Sequence, residues 1–388
     1  MASLAVLGLL AWSVRALGAA PGGRNLAFAL GIGTILGIVL QRARFCFYCH
    51  ARDHVEGGDP RGLLAILLAM AVGILGMLLV ISGWLPDPQG GRLPPEAHIG
   101  PVSWALVAAG LAFGLGMVVS GSCISAHWYR LGEGSPTSPF ALIGAAGGFL
   151  LGFNTWNPLY SATIAESRVL WLPQKLGYVG AILAQLALIL LIAALIWRPR
   201  KEAPPPPARS LGEAARRLIE GRWPAWVGGL IVGAIAAVVI LRLRPLGVTA
   251  ALGSGARGLG DAWGWIPERL DGLDGFAGCV TVITEALWRT PNALLVAGIV
   301  GGAFAAALAS GQFAPKLPTG TQVFRGLTGG LLLGWGAMTG LGCTIGNTLS
   351  GVMAGAVSGW VFTFAMVFAI WAGLRLGLGT GGRRRASA

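Results

Sequence analysis

Charged side chains are scarce in this sequence. Only 11% of its 388 residues are Asp, Glu, Lys or Arg, against about 25% in a soluble domain. That shortage, with 55% hydrophobic residues, excludes an ordinary water-soluble globule and points to a chain that lives in lipid. Acidic residues are scarcer still: 15 against 28 basic ones, for a formal charge of +13. The basic residues lie in loops and tails between apolar runs, not on a face interleaved with aromatics. The excess reads as the positive-inside bias of a membrane protein, and no nucleic acid is expected as a partner. The cysteines are Cys46, Cys49, Cys123, Cys279 and Cys343, too few and too dispersed for a disulfide scaffold. No Ser-His-Asp set, Walker loop or H-E-x-x-H is visible, so neither an enzyme nor an ATP-driven motor is indicated.

Glycine is what the chain has in excess, with 63 residues, roughly twice the usual share. Glycine spread through apolar runs suits close helix packing and broken helices in a bilayer. The long apolar runs are 25–41, 62–84, 139–155, 176–197, 223–241, 292–310 and 354–374. Two more, near 104–122 and 326–342, end in Gly-rich cysteine motifs. With the first segment this makes about ten crossings or partial crossings, each near the ~20 residues a bilayer requires. The opening MASLAVLGLLAWSVRALGAA lacks a positive n-region, and Arg15 interrupts it. It reads as a short hydrophobic helix within 1–24 rather than a signal peptide.

The clearest boundary is RPRKEAPPPPARSLGEAARRLIEGR at 198–222, where consecutive prolines stop any helix. It separates a first transmembrane repeat at 25–197 from a second at 223–376, with a basic tail at 377–388. The basic linker and tail both belong in the cytoplasm. Counting crossings back from the linker puts 41–61, with Arg42, Arg44, Arg52 and Arg61, on the same side.

The two parts carry matching motifs. GLGMVVSGSC ends at Cys123 and GWGAMTGLGC at Cys343. Aligned on cysteine, Gly114 pairs with Gly334 and Gly116 with Gly336. GIGTILGIVLQRARF at 31–45 also aligns with the segment after 223 when Gly33 is set on Gly233, placing Arg42 on Arg242 and Arg44 on Arg244. Segment 25–41 runs outward to inward and 223–241 the reverse. The expected fold is an all-α polytopic membrane protein of two inverted repeats, a common transporter plan.

In SGSC and GLGC, Gly121, Gly340 and Gly342 should stop a helix, since glycine costs about 1 kcal/mol relative to alanine. The freed backbone groups cannot face lipid and must line a polar path. A thiol there is a weak, polarisable donor, suited to a soft sulfur-bearing anion, and nearby helix N-termini offer N–H groups to its charge. Ser122 and Thr344 add hydroxyls. His127 and Asn347 follow the two cysteines at the same offset, to satisfy loop backbone or to touch substrate. Arg42 and Arg44 read as interfacial anchors.

The stretch QRARFCFYCHARDH at 41–54 fits the C-x-x-C-H spacing of a c-type haem. That haem is attached outside the cytoplasm, however, and a short turn leaves no room for it. Zinc on Cys46, Cys49, His50 and His54 would crowd four ligands into nine residues. No cofactor or metal is therefore expected.

The paired Gly-rich cysteine segments, RFCF at 44–47 and RPLGV at 244–248 resemble the YeeE/YedE family of sulfur-compound transport proteins across roughly 25–376. The resemblance implies an hourglass of two inverted repeats with re-entrant half-helices. It implies uptake of thiosulfate through the bacterial inner membrane along three thiols, here Cys46, Cys123 and Cys343, with Cys46 at the cytoplasmic mouth. A cytoplasmic sulfur-accepting protein is the partner so implied, and a selenium compound an alternative cargo. A rival reading is a sulfur-transfer protein whose cysteines form persulfides. Cys49, His50, His54 and Cys279 receive no role.

Overall fold

A computed structural model describes residues 1–94, 97–198, 210–243, 247–273 and 287–379. Cys279, Arg244, the prolines at 204–207 and the tail from 380 lie outside the described residues. The first part folds as α1 (Ala2–Ala19), α2 (Arg24–Ala43), α3 (Phe47–Gly57), α4 (Arg61–Trp84), α5 (Trp104–Ser120), α6 (Ile124–Gly132), α7 (Ser138–Leu159) and α8 (Leu172–Ile196). After the linker helix α9 (Leu211–Glu220) come α10 (Ala225–Val239), α11 (Ala250–Ala262), α12 (Pro291–Ala309), α13 (Gly320–Thr339) and α14 (Val357–Arg375). No strand occurs among the described residues. Among the described residues, seven helical stretches are long and apolar enough to cross a membrane, with α2–α3 and α5–α6 each taken as one, and α10 is apolar but shorter.

The outer helices show why so little charge is needed. In α8, Leu190 and Leu195 are 68% and 76% exposed. Such rows of large apolar side chains would aggregate in water, whereas in a bilayer they meet lipid. α1 likewise buries none of its residues.

Inside, the helices pack in exchanged pairs. α2 lies on α12 while α10 lies on α4, and α5 lies on α14 while α13 lies on α7. α3 meets α14 while α11 meets α7, and α5 crosses α13. Glycine sets how close these pairs come. At the α5–α13 crossing, a Cβ on Gly116 would sit 2.8 Å from the Gly329 carbonyl oxygen, and one on Gly336 would sit 2.7 Å from that of Ala109. Any side chain at either position would separate the backbones. Gly114 abuts the Met366 carbonyl and Gly334 that of Ala145, again as a matched pair.

Gly33 and Gly37 abut the Leu295 and Ile299 carbonyls on α12, and Gly229 and Gly233 abut the Ala65 and Ala69 carbonyls on α4.

Both cysteine motifs fall at helix breaks. α5 stops at Gly121, which takes the left-handed conformation at φ 84°, and α6 starts after an extended Cys123. α13 stops at Gly340, and a π-helical segment, Thr344–Gly351, starts after an extended Cys343. At the second break the left-handed residue is Leu341, at φ 55°, while Gly340 has a φ of −81°. A non-glycine residue there is strained by on the order of 1–3 kcal/mol. Gly340 and Gly342 serve close approach instead. Added Cβ atoms would lie 3.0 Å from the Phe362 ring and 2.8 Å from Asn347 Oδ1, respectively.

Candidate functional site

The site is built where α3 and α6 begin. A short link after α2, with Arg44 left-handed at φ 50°, delivers Cys46 as the N-cap of α3. Cys123 is the N-cap of α6. The two Sγ atoms lie 4.0 Å apart. Cys46 Sγ is also 3.9 Å from Ser122 Oγ, and Cys123 Sγ is 3.1 Å from Ser125 Oγ. All four residues are buried. Two thiols and two hydroxyls thus converge where two helices start, and helix N-termini carry positive partial charge.

Arg130, on the last turn of α6, adds a full charge. Its Nη2 donates to Cys49 Sγ at 3.0 Å, and its Nη1 donates to the Gly121 carbonyl at 3.3 Å. No carboxylate lies within ion-pair distance of it among the described residues. Arg130 also lines a cavity of about 340 Å³ with Arg44, Tyr129, Glu133, Arg222 and Lys316. Four cations face one acid there. Burial pushes the Glu133 carboxyl above the usual carboxylate range, against the pull of Arg130. Burial and the neighbouring Arg44 push Arg222 down.

Cys343 sits in a separate but connected setting. Its thiol faces the backbone N–H groups of Gly346, Ile345 and Val248 and the hydroxyl of Thr249. Thr249 is the N-cap of α11, as Cys46 is of α3. It stands to Cys343 as Cys46 stands to Cys123. Val248 joins the two settings, because its carbonyl accepts from Trp128 Nε1 on α6 at 3.1 Å. The loop between α4 and α5 reaches this end too. His98 bonds to the Leu341 backbone, and burial holds its imidazole down at about 4.

The residues after the breaks prove to be braces. Asn347 Nδ2 donates to the carbonyls of Gly340 and Gly342 at 2.7 and 3.1 Å, two acceptors that the end of α13 leaves free. His127 bridges Ser120 Oγ at 3.1 Å and Ser138 Oγ at 3.3 Å. Arg42 is buried, and donates to the Gly221 carbonyl rather than anchoring at an interface. Arg44 opens on the cavity. The hydroxyl of Thr344 is buried with no partner.

Sequence reasoning named Cys46, Cys123, Ser122 and Cys343. It passed over Arg130, Ser125, Thr249 and His98. A helix-capping threonine just after RPLGV was the available signal for Thr249.

Known proteins place the chain. It is 30% identical over 344 residues to the thiosulfate transporter TsuA of Escherichia coli K12, covering 81% of this chain and 84% of that one. It is 28% identical over 332 residues to the thiosulfate transporter TsuA of Spirochaeta thermophila, covering 81% and 88%. The probable transporter YedE of Escherichia coli K12 is 28% identical over 214 residues, covering 54% and 50%. A model of the sulphur transport family matches residues 42–372. The chain belongs to that family, whose YeeE/YedE proteins are transporters and not enzymes.

Proposed function

We propose that this protein is a bacterial inner-membrane permease that takes up thiosulfate or a closely related sulfur anion. The observation that carries this reading is the meeting of Cys46 and Cys123, 4.0 Å apart at a helix break beside a cationic cavity. Thiosulfate has a hard, charged oxygen face and one soft terminal sulfur. Arg130 suits the first and the thiols suit the second. Weak S–H donors hold a ligand without trapping it, and a transported ligand must leave. The printed function of the two relatives named TsuA agrees with this cargo.

The path takes in Cys343, Cys123 and Cys46, with Cys46 at the cytoplasmic mouth and Gly121, Gly340 and Gly342 giving the breaks their shape. Cys343 joins through Val248 and Trp128. The chain forms two inverted repeats, 25–197 and 223–376, whose broken helices are re-entrant. The exchanged packing of α2 on α12 and α10 on α4 supports that arrangement. The linker and the C-terminal tail are cytoplasmic, where charge favours them. Arg44, Arg130, Arg222 and Lys316 then line the cytoplasmic mouth. A sulfur-accepting protein in the cytoplasm would consume the cargo.

Uptake of radiolabelled thiosulfate into proteoliposomes tests the reading, with unlabelled sulfate, sulfite and selenite as competitors. Thiosulfate alone should dilute the label. Equal competition by sulfate would remove the need for a soft sulfur contact and sink the proposal.

A further inference from the structure

The proposed path uses only the first residue of the C-F-Y-C-H motif. Cys49 is left over, and its position is informative. Cys46 is the N-cap of α3, with extended backbone at φ −142° and ψ 121°. Cys49 is the third residue of that helix. Side chains at N-cap and N3 are within reach of each other at a helix start, as in a capping box, so a side-chain rotation can bring the two thiols of α3 together. Both are buried, at 0% and 4% exposure. A pair of thiols in a C-x-x-C at the start of a helix is poised for disulfide exchange.

Access and charge are also in place. Arg130 touches Cys49 Sγ at 3.0 Å and lines the basic cavity of about 340 Å³. A small anion that reaches Arg130 has reached Cys49. Arg130 supplies the counter-charge to a thiolate, the attacking form in exchange.

We propose that Cys46 and Cys49 form a redox-active dithiol that a polythionate, the disulfide-bearing oxidation product of thiosulfate, converts to a disulfide that shuts the path. The choice of oxidant rests on the transport reading above, whereas the dithiol does not. The Cys46 thiolate attacks a central sulfur of tetrathionate and breaks its central S–S bond. One thiosulfate leaves, and Cys46 carries an S–S–SO3⁻ group. Cys49 then attacks Cys46 Sγ and expels a second thiosulfate. Two thiols lose two protons and two electrons, and one tetrathionate becomes two thiosulfates. Cys46, once bonded to Cys49, no longer offers its S–H towards Cys123.

The experiment treats the purified full-length protein with tetrathionate, blocks free thiols with N-ethylmaleimide and digests with trypsin. Cys46 and Cys49 share the peptide Phe45–Arg52. The expected result is that peptide lighter by two hydrogens and unblocked, with two thiosulfates released per chain and uptake in proteoliposomes lost until dithiothreitol restores it. Cys49→Ser should retain uptake and trap the S–S–SO3⁻ group on Cys46, releasing one thiosulfate. Two blocked cysteines in that peptide, or Cys46 joined to the Cys123 peptide, would overturn the proposal. Disulfide formation with diamide but not with tetrathionate would also overturn it, as regards the oxidant. Normal disulfide closure in a protein that takes up no thiosulfate would support the dithiol and count against the transport reading alone.

Discussion

Cys46 Sγ lies 4.0 Å from Cys123 Sγ, across 77 residues of sequence. Neither thiol is exposed to solvent, and each caps a different helix. Their approach is therefore set by the fold, through the helices that bring α3 and α6 together. A ligand that touches both meets two soft donors at once.

Exchange of either sulfur for oxygen should cost uptake. Cys46→Ser and Cys123→Ser keep shape and burial but harden the donor and strengthen its hold on water. Losing one hydrogen bond of ~1 kcal/mol lowers the rate about fivefold, and loss at a constriction is expected to exceed that. Uptake by a strain lacking its own thiosulfate importer, corrected for membrane expression, gives the measurement. Normal rates in both variants would end the thiol-path mechanism.

The second setting should behave likewise with different chemistry. Cys343→Ser is expected to impair uptake. Thr249→Val removes the hydroxyl that faces Cys343 and should also impair it, whereas Thr249→Ser should not. A normal rate for Thr249→Val would show that the site does not use the hydroxyl.

The α5–α13 crossing predicts a stability effect that leaves the thiols untouched. Gly336→Val places atoms against the Ala109 carbonyl, where even a Cβ would sit at 2.7 Å. Overpacking of this kind costs about 1–3 kcal/mol. The variant should melt at a lower temperature in detergent than Gly8→Val, whose site is open. Equal melting temperatures would refute the close crossing.

His98 predicts an acid-side loss of stability. Its imidazole titrates near 4 in the fold and near 6.5 when free. The folded state therefore stays unprotonated while the unfolded state binds a proton. Stability from this group is complete above 6.5 and is lost as pH falls towards 4. Thermal melting of wild type and His98→Gln across that range should show a smaller acid-side fall in the variant. Parallel curves would refute the burial of His98.

Topology can be checked by fusion. Alkaline phosphatase, active only outside the cytoplasm, should be inactive when inserted at residue 208. Strong activity there would overturn the inverted-repeat reading and the placement of the basic cavity.

Much of this was legible in the sequence, for identifiable reasons. Apolar run length marks crossing helices because a bilayer has a fixed thickness. Glycine before cysteine marks a break because both deviate from what an apolar helix uses. Cys123 and Cys343 stand out for that reason and Cys46 for its C-x-x-C-H run, whereas Thr249 does not stand out. It performs at α11 what Cys46 performs at α3, but as a common capping residue it carries no chemical flag. Arg130 was hidden differently. A basic residue near a helix end reads as an ordinary anchor until Cys49 is seen 3.0 Å away. The strain at Leu341 was unreadable, since its two glycine neighbours are the expected sites for a left-handed turn.

The glycine seam between α5 and α13 has a mechanical consequence. Helices whose backbones touch cannot slide or rock past one another without first being lifted apart. A transporter that swings one half against the other would have to open this seam in every cycle. On the proposed path, passage past Cys46 and Cys123 would need much less, since rotation about a cysteine's Cα–Cβ bond moves the sulfur while the backbone stays still. The frame would then act as a stator, with small rotors inside it.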